Sequence, residues 1–312
     1  MYNLINWLSY TLSYTLSYTL ANTKLYIDIG QLKVRQIILC QSMKTVNILD
    51  VAIHNLSIVD LLEQLTHKGG VVVTPNVDHL MKLRYDQELQ SVYQQSDYRI
   101  CDSKIVQYAS KFLGTPIQEK ISGSDLFPAF YQHNKANASI KIFLLGAQEG
   151  IAQQAQEKIN QKVERNIIVD TYSPEFGFEK DEEECQRIVA RIKESGATVL
   201  AVGLGAPKQE KWINKYKHQL PNIKIFLAIG ATIDFEAGYK PRSPKWMSEV
   251  GLEWLHRLLS EPRRLWKRYL IESMPFFWLI FQQKIRQQSL LSRIFPKPKD
   301  VKSQDNLSLR KV

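Results

Sequence analysis

"GGVVVTPNVDHLMKLR", Gly69 to Arg84, is the stretch on which the reading of the fold turns. Three consecutive valines behind a glycine pair have the length and β-branched content of a buried strand. The run passes through Thr74-Pro75-Asn76 into a helix-forming segment that begins with an acid, Asp78. A strand that hands over to a helix through a short polar turn is half of a βα unit. The turn needs a side chain that caps the helix, and Asn76 supplies one. The same place, beyond the carboxyl end of a strand, is where open α/β sheets bind their ligands. Asn76 is thus a cap and a candidate ligand contact at once.

The pattern recurs from Met43 onward. Short apolar runs predict strands over Val46 to Leu49, Val71 to Thr74, Tyr98 to Cys101, Lys141 to Leu145, Ile167 to Asp170, Thr198 to Val202 and Ile223 to Ala228. Helical spacing predicts helices over Ser57 to His67, Asp78 to Gln94, Lys104 to Leu113, Ser124 to His133, Gly150 to Gln161, Asp181 to Glu194 and Lys208 to His218. The alternation predicts an α/β fold, Rossmann-like and doubly wound around a mainly parallel sheet. Beyond Pro241 to Pro244 the composition changes, and "WMSEVGLEWLHRLLSEPRRLWKRYLIESMPFFWLIFQQKIRQQ" reads as consecutive helices, with Ser260-Glu-Pro offering an N-cap and a first-turn proline. The expected organisation is a low-complexity extension over 1–42, an α/β core over 43–241, a basic helical appendage over 242–292 and a disordered tail over 293–312. The repeating Tyr, Thr, Leu and Ser of the extension are unlike the rest, and translation starting at Met43 would account for them.

With 312 residues, 44% of them hydrophobic, the chain can bury a full-sized core. Its net charge of +10 is uneven: Lys240 to Val312 holds 16 Lys and Arg against 6 Asp and Glu, so the preceding body is neutral. A neutral body with a basic end suits an anionic partner met at that end, either a membrane surface or nucleic acid. The strongest apolar run, Met274 to Phe281, is about half of the ~20 residues that a span requires. The N-terminus lacks the basic region of a signal peptide, and the three cysteines, Cys40, Cys101 and Cys185, form no pattern of disulfide or zinc ligation. A reducing cytoplasm is expected.

The residues that follow each strand would share one rim. Asp102 follows Tyr-Arg-Ile-Cys and precedes a helix, so taken alone it is more simply an N-cap, worth about 1 kcal/mol, than a catalyst. "GLGAPKQEKW", Gly203 to Trp212, has two glycines of a dinucleotide fingerprint, but Lys208 stands where the third belongs. What remains is a tight turn followed by Lys208 and Gln209. It suits a diphosphate or sugar hydroxyls as well as it suits a plain helix start. No two aspartates stand two apart, so no DxD metal site against a nucleotide diphosphate is suggested, and no metal or cofactor is expected. If a diphosphate leaves, helix N-termini and basic side chains must stabilise it.

"TPN", "CDSKIVQYASKFLG", "EKISGSDL", "GLGAPKQEKW", "IGATIDFEAG" and "PRSPKWMSEVGLEWLHRLLSEPRRLWKRYL" together resemble the WecG/TagA/CpsF glycosyltransferase family, over about Met43 to Lys284. The resemblance implies a metal-independent, inverting transfer of an N-acetylmannosamine type sugar from a UDP-sugar to a polyprenyl-diphosphate-linked sugar, at the inner face of the plasma membrane, in cell-surface polysaccharide synthesis. It places the base on Asp102 and substrate contacts on Thr74, Asn76 and Gln209, with Lys208 beside them. It places an acid near uridine on Asp234, an aromatic near the base on Phe178, and site-completing arginines on Arg257, Arg264 and Arg268. Spacings of 7 and 4 would put these arginines on one helical face. Two departures stand out: Asp102 lies between Cys101 and Ser103, where the family often has Pro-Asp-Gly, and Lys120 replaces a frequent arginine and loses its bidentate fork. Homo-oligomers occur in the family. The rival readings are a nucleotide-dependent dehydrogenase, a nucleic-acid-binding protein, which no recognised module supports, and a non-catalytic membrane adaptor.

Overall fold

In a computed structural model, the structure describes residues 45–294, so the 1–42 extension, Cys40 and all but the first two residues of the expected tail lie outside it. The described residues begin with a hairpin of β1 (Thr45–Ile48) and β2 (Val51–His54), paired antiparallel. The Val46 to Leu49 strand therefore does not join the parallel series. Leu49 and Asp50 both adopt positive φ, 49° and 67°, which reverses the chain in two residues, whereas a parallel connection needs a crossover of a dozen or more.

The main sheet has six parallel strands in the order β4-β3-β8-β7-β5-β6. They are β3 (Gly70–Val73), β4 (Tyr98–Arg99), β5 (Ile142–Gly146), β6 (Ile168–Tyr172), β7 (Val199–Gly203) and β8 (Ile225–Ala228). Helices cover the sheet: α1 (Ile58–Lys68), α2 (Val77–Lys82), α3 (Gln87–Gln94), α4 (Lys104–Leu113), α5 (Gly123–His133), α6 (Ile151–Val163), α7 (Glu182–Glu194), α8 (Lys208–Tyr216) and the short α9 (Thr232–Glu236). Val71 to Val73, Val199 to Val202 and all of β8 are buried, as strands covered on both faces must be. The expected helix over Asp78 to Gln94 is two helices. Asp86 accepts from the Leu89 N–H and starts α3 afresh. The hairpin shields the β4 edge: the Arg99 N–H donates to His54 Nδ1 and its Nε to the Ala52 carbonyl, at 2.9 and 2.8 Å.

After the sheet come α10 (Lys245–Val250), α11 (Glu253–Ser260), α12 (Pro262–Lys267), a π-helical turn over Arg268–Glu272, and α13 (Pro275–Ile294). Glu261, rather than Ser260, stands at the start of α12, and its φ of −135° and ψ of 61° break the helix there. Phe276 and Ile280 bury one side of α13 in the same core as Val46, Ile48 and Val106. Gln283 ties α13 to the first hairpin, accepting from the Leu49 N–H and donating to the Asn47 carbonyl, both at 3.0 Å. Among the described residues no helix is long and apolar enough to cross a membrane.

Candidate active site

The site grows from two neighbouring strand ends. Beyond β3 and β4 the chains stay side by side, with the Ile100 N–H on the Val73 carbonyl and the Asp102 N–H on the Pro75 carbonyl, each at 3.0 Å. This register sets Asn76 against Asp102. Asn76 caps α2, its Oδ1 accepting from the His79 N–H at 3.2 Å. Asp102 is no cap. Ser103 takes that place, its Oγ accepting from the Val106 N–H, so the Asp102 carboxyl is left over from the local folding of α4. Burial raises its pKa to about 7 and Glu253 adds to the rise, against the pull of Arg257, Lys120 and a hydrogen bond from Asn76.

Three connected cavities run along this rim. The inner one, about 240 Å³, joins Asn76, Asp102, Lys120, Glu253, Arg257 and Arg268 to an apolar wall of Trp254, Tyr269, Leu270, Met274 and Phe277. A middle cavity of about 930 Å³ shares Lys120, Glu253 and Arg257 with it and adds Asp125, Phe235, Lys240, Arg242 and Arg264. An outer cavity of about 510 Å³ shares Lys240 with the middle one and is lined by Gln148, Phe178, Lys208 and Asp234. The polar walls are rich in cations, as a site for a nucleoside diphosphate needs to be.

Ion pairs fix most of these charges. Lys120 binds Asp125 at 2.9 Å and Arg242 binds the same carboxylate at 2.6 Å. Against its burial, these partners and Ser122 hold the Asp125 pKa down at about 2. Lys120 is raised in turn: burial pulls it down, but Asp125, Asp102 and Glu253 outweigh that. Arg257 pairs with Glu253 at 2.6 Å, Asp234 with Lys240 at 3.1 Å, and Lys208 with Glu179 at 2.6 Å. Arg268 reaches the buried Asp78, two residues after Asn76, at 3.1 Å, and Lys82 holds the same carboxylate at 2.8 Å.

The structure brings Asn76, Asp102, Lys120, Arg257 and Arg268 around one cavity, sets Arg264 in the adjoining one with Lys120 and Arg257, and places Thr74, Phe178, Lys208, Gln209 and Asp234 outside the inner cavity. Phe178 is packed in the core and faces the outer cavity, away from Asp102. Thr74 is buried at the end of β3 and lines none of the three cavities. Gln209 is also buried: its Oε1 accepts from the Gly230 N–H at 3.0 Å and its Nε2 donates to Glu210 at 2.9 Å. It braces the loop after β8 rather than facing a cavity. Of the glycines before it, Gly203 is needed for packing, since a Cβ there would lie 2.7 Å from the Gly230 carbonyl oxygen, whereas Gly205 has open space where a Cβ would stand and adopts φ of +78°. The three arginines do not share a helical face, because the break at Glu261 puts Arg257 on α11, Arg264 on α12 and Arg268 in the π-turn. Arg264 lines only the middle cavity and pairs with Glu261. Sequence reasoning passed over Glu253, which reads as an ordinary first-turn acid, and Asp125 and Arg242, whose pairing joins segments 117 residues apart.

The sequence profile of the family described as glycosyl transferase WecG/TagA/CpsF matches residues 46–290. An N-acetylglucosaminyldiphosphoundecaprenol N-acetyl-beta-D-mannosaminyltransferase of Bacillus spizizenii is 31% identical over 205 residues, covering 65% of this chain and 76% of that one. The matched span contains the six-stranded sheet, the paired strand ends that carry Asn76 and Asp102, and α10 to α12 with their arginines. The chain belongs to the WecG/TagA/CpsF glycosyltransferase family.

Proposed function

We propose that this glycosyltransferase moves an N-acetylmannosamine type sugar from a UDP-sugar to a polyprenyl-diphosphate-linked acceptor, with inversion and without a metal ion, in the synthesis of a cell-surface polysaccharide. The acceptor and sugar classes are those in the name of the Bacillus relative. The observation that carries the reading is Asp102, a carboxyl with its pKa raised to about 7 on the wall of a cavity that continues into a basic one.

In this reading Asp102 takes the proton of the acceptor hydroxyl as its oxygen bonds to the anomeric carbon. The bond from that carbon to the diphosphate oxygen breaks on the opposite face, and UDP leaves with the electron pair. A base with a pKa near the working pH combines the right protonation state with useful proton affinity. Lys120, Lys240, Arg242, Arg257 and Arg264 supply positive charge where the diphosphate develops negative charge. The apolar wall from Trp254 to Phe277 receives the first isoprene units of the acceptor. Trp266, Ile271, Trp278 and Phe281 are exposed beside Arg263, Lys267 and Lys284, a composition suited to lying on an anionic bilayer.

A panel of UDP-sugars with a short-chain lipid-diphosphate-GlcNAc acceptor, with and without EDTA, tests the reaction. Turnover with UDP-N-acetylmannosamine that EDTA leaves intact is expected, and loss of turnover in EDTA would remove the metal-independent part. Flotation with anionic vesicles tests the membrane part: Trp278→Ser with Phe281→Ser should reduce recovery, and unchanged recovery would count against it.

A further inference from the structure

The inner cavity sets three acids, Asp78, Asp102 and Glu253, among cations, and the pairing of charges there is unequal. Lys120 is committed to Asp125 and Arg257 to Glu253. Among the described residues no ion pair reaches Asp102. The arginine that would otherwise neutralise it is held at 2.6 Å by the acid one helical turn earlier in α11.

We propose that Glu253 is a positioning residue for sugar transfer, which holds the Arg257 guanidinium away from Asp102 and so leaves that carboxyl free to accept the proton of the attacking hydroxyl. The proposal rests on the reading of Asp102 as the base. Glu253 owes its place to the turn between α10 and α11. Gly251 adopts φ of +84° there, and a Cβ on it would lie 3.1 Å from the Cβ of Lys104, so the turn sits against the start of α4, two residues after Asp102. Such close packing fixes where α11 begins, and with it the Glu253 carboxyl.

Electrostatics support the same division of labour. After burial, Glu253 is the largest influence raising the Asp102 pKa, while Arg257 and Lys120 lower it. Across the cavity Asp78 is shared by Lys82 at 2.8 Å and Arg268 at 3.1 Å, which ties Arg268 to that side, and Lys104 lines the wall next to Asp102. Behind it lie Cys101 and Tyr93, whose pKa values are themselves raised by burial, so both stay uncharged at neutral pH. Among the charged groups around Asp102, Glu253 and Arg257 act on it most strongly, so their mutual pairing sets much of the charge that Asp102 meets.

The Asp102 carboxyl can be titrated directly by carbon-13 NMR of the full chain labelled at aspartate, its signal assigned by loss in Asp102→Asn. In Glu253→Gln the like charge is gone and Arg257 is released, so the midpoint should fall by roughly half to one pH unit. The acidic limb of kcat/KM should move the same way, and the plateau rate should drop roughly threefold as the base weakens. Adding Arg257→Gln should bring the midpoint back up, a rescue that a merely structural role would not give. Glu253→Ala serves as a second variant should the amide disturb packing. A midpoint unchanged in Glu253→Gln and Glu253→Ala, or a double variant that stays low, would overturn the proposal. Turnover in Asp102→Asn judges the base assignment separately, because the titration reports the charge pairing whether or not Asp102 is the base.

Discussion

Two carboxyls on either side of Lys120 have opposite fates. Asp125 receives Lys120, Arg242 and the Ser122 hydroxyl directly, and its pKa is held at about 2. Asp102 shares the neighbourhood of the same lysine but has no ion-pair partner among the described residues, and its pKa rises to about 7. Burial pushes both upward, more strongly at Asp102, and only Asp125 has direct partners that outweigh it. A carboxylate that is gripped holds structure together, whereas one that is enclosed and left ungripped keeps an affinity for protons.

The contrast breaks most visibly at Asp102 itself. Asp102→Asn should lower kcat by roughly 100-fold or more, measured at saturating donor and acceptor. It should also raise thermal stability at pH 8. With a folded pKa of about 7 against an ordinary 3.8, the native state binds the extra proton between those values, so ionising the buried carboxyl lowers stability as pH rises through the window. The variant escapes that loss.

Asp125→Asn should behave in the opposite way. Its folded pKa lies below the unfolded one, so its stabilisation is present above about pH 4 and lost as pH falls towards 2. Denaturant unfolding at pH 7 should show a loss of roughly 1.5–3 kcal/mol that shrinks with acidification. Ser103→Ala removes the cap of α4 and should cost about 1 kcal/mol, yet leave the pH–rate midpoint where it was. A shifted midpoint would mean that cap and base are not separable. Lys120→Met removes a cation from both acids: besides the rate lost with a cation beside the diphosphate, the smallest shift expected is in the acidic limb of kcat/KM, upward by roughly half a pH unit.

Much of this was legible in the residues. The valine run, the turn at Thr74 to Asn76 and the alternation after it are local signals, and the parallel α/β sheet followed from them. The first hairpin was missed because β2 is four residues long, and its turn uses Leu49 and Asp50 at positive φ in place of the glycine or asparagine that would announce it. Asp102 was visible only as a cap or an acid, and the choice depended on whether Ser103 takes the cap, which is a matter of one hydroxyl. Gln209 and Thr74 stood at the right point of the rim but turn inward, since a sequence gives the place of a side chain along a strand end and not the partner it finds. The spacing of Arg257, Arg264 and Arg268 suggested a single helix face because helical periodicity carries through a sequence even where Glu261 and Pro262 interrupt the helix.

The apolar wall of the inner cavity comes from residues 254 to 277, and α13, stitched to the first hairpin through Gln283, closes the fold behind it. A ribosome therefore makes the acid at position 102 long before the residues that shelter it. While the chain is still being synthesised that carboxyl faces water and is an ordinary weak base. Its chemical competence arrives with the last helices, so a truncated or half-made chain would carry the acid without the surroundings that make it useful.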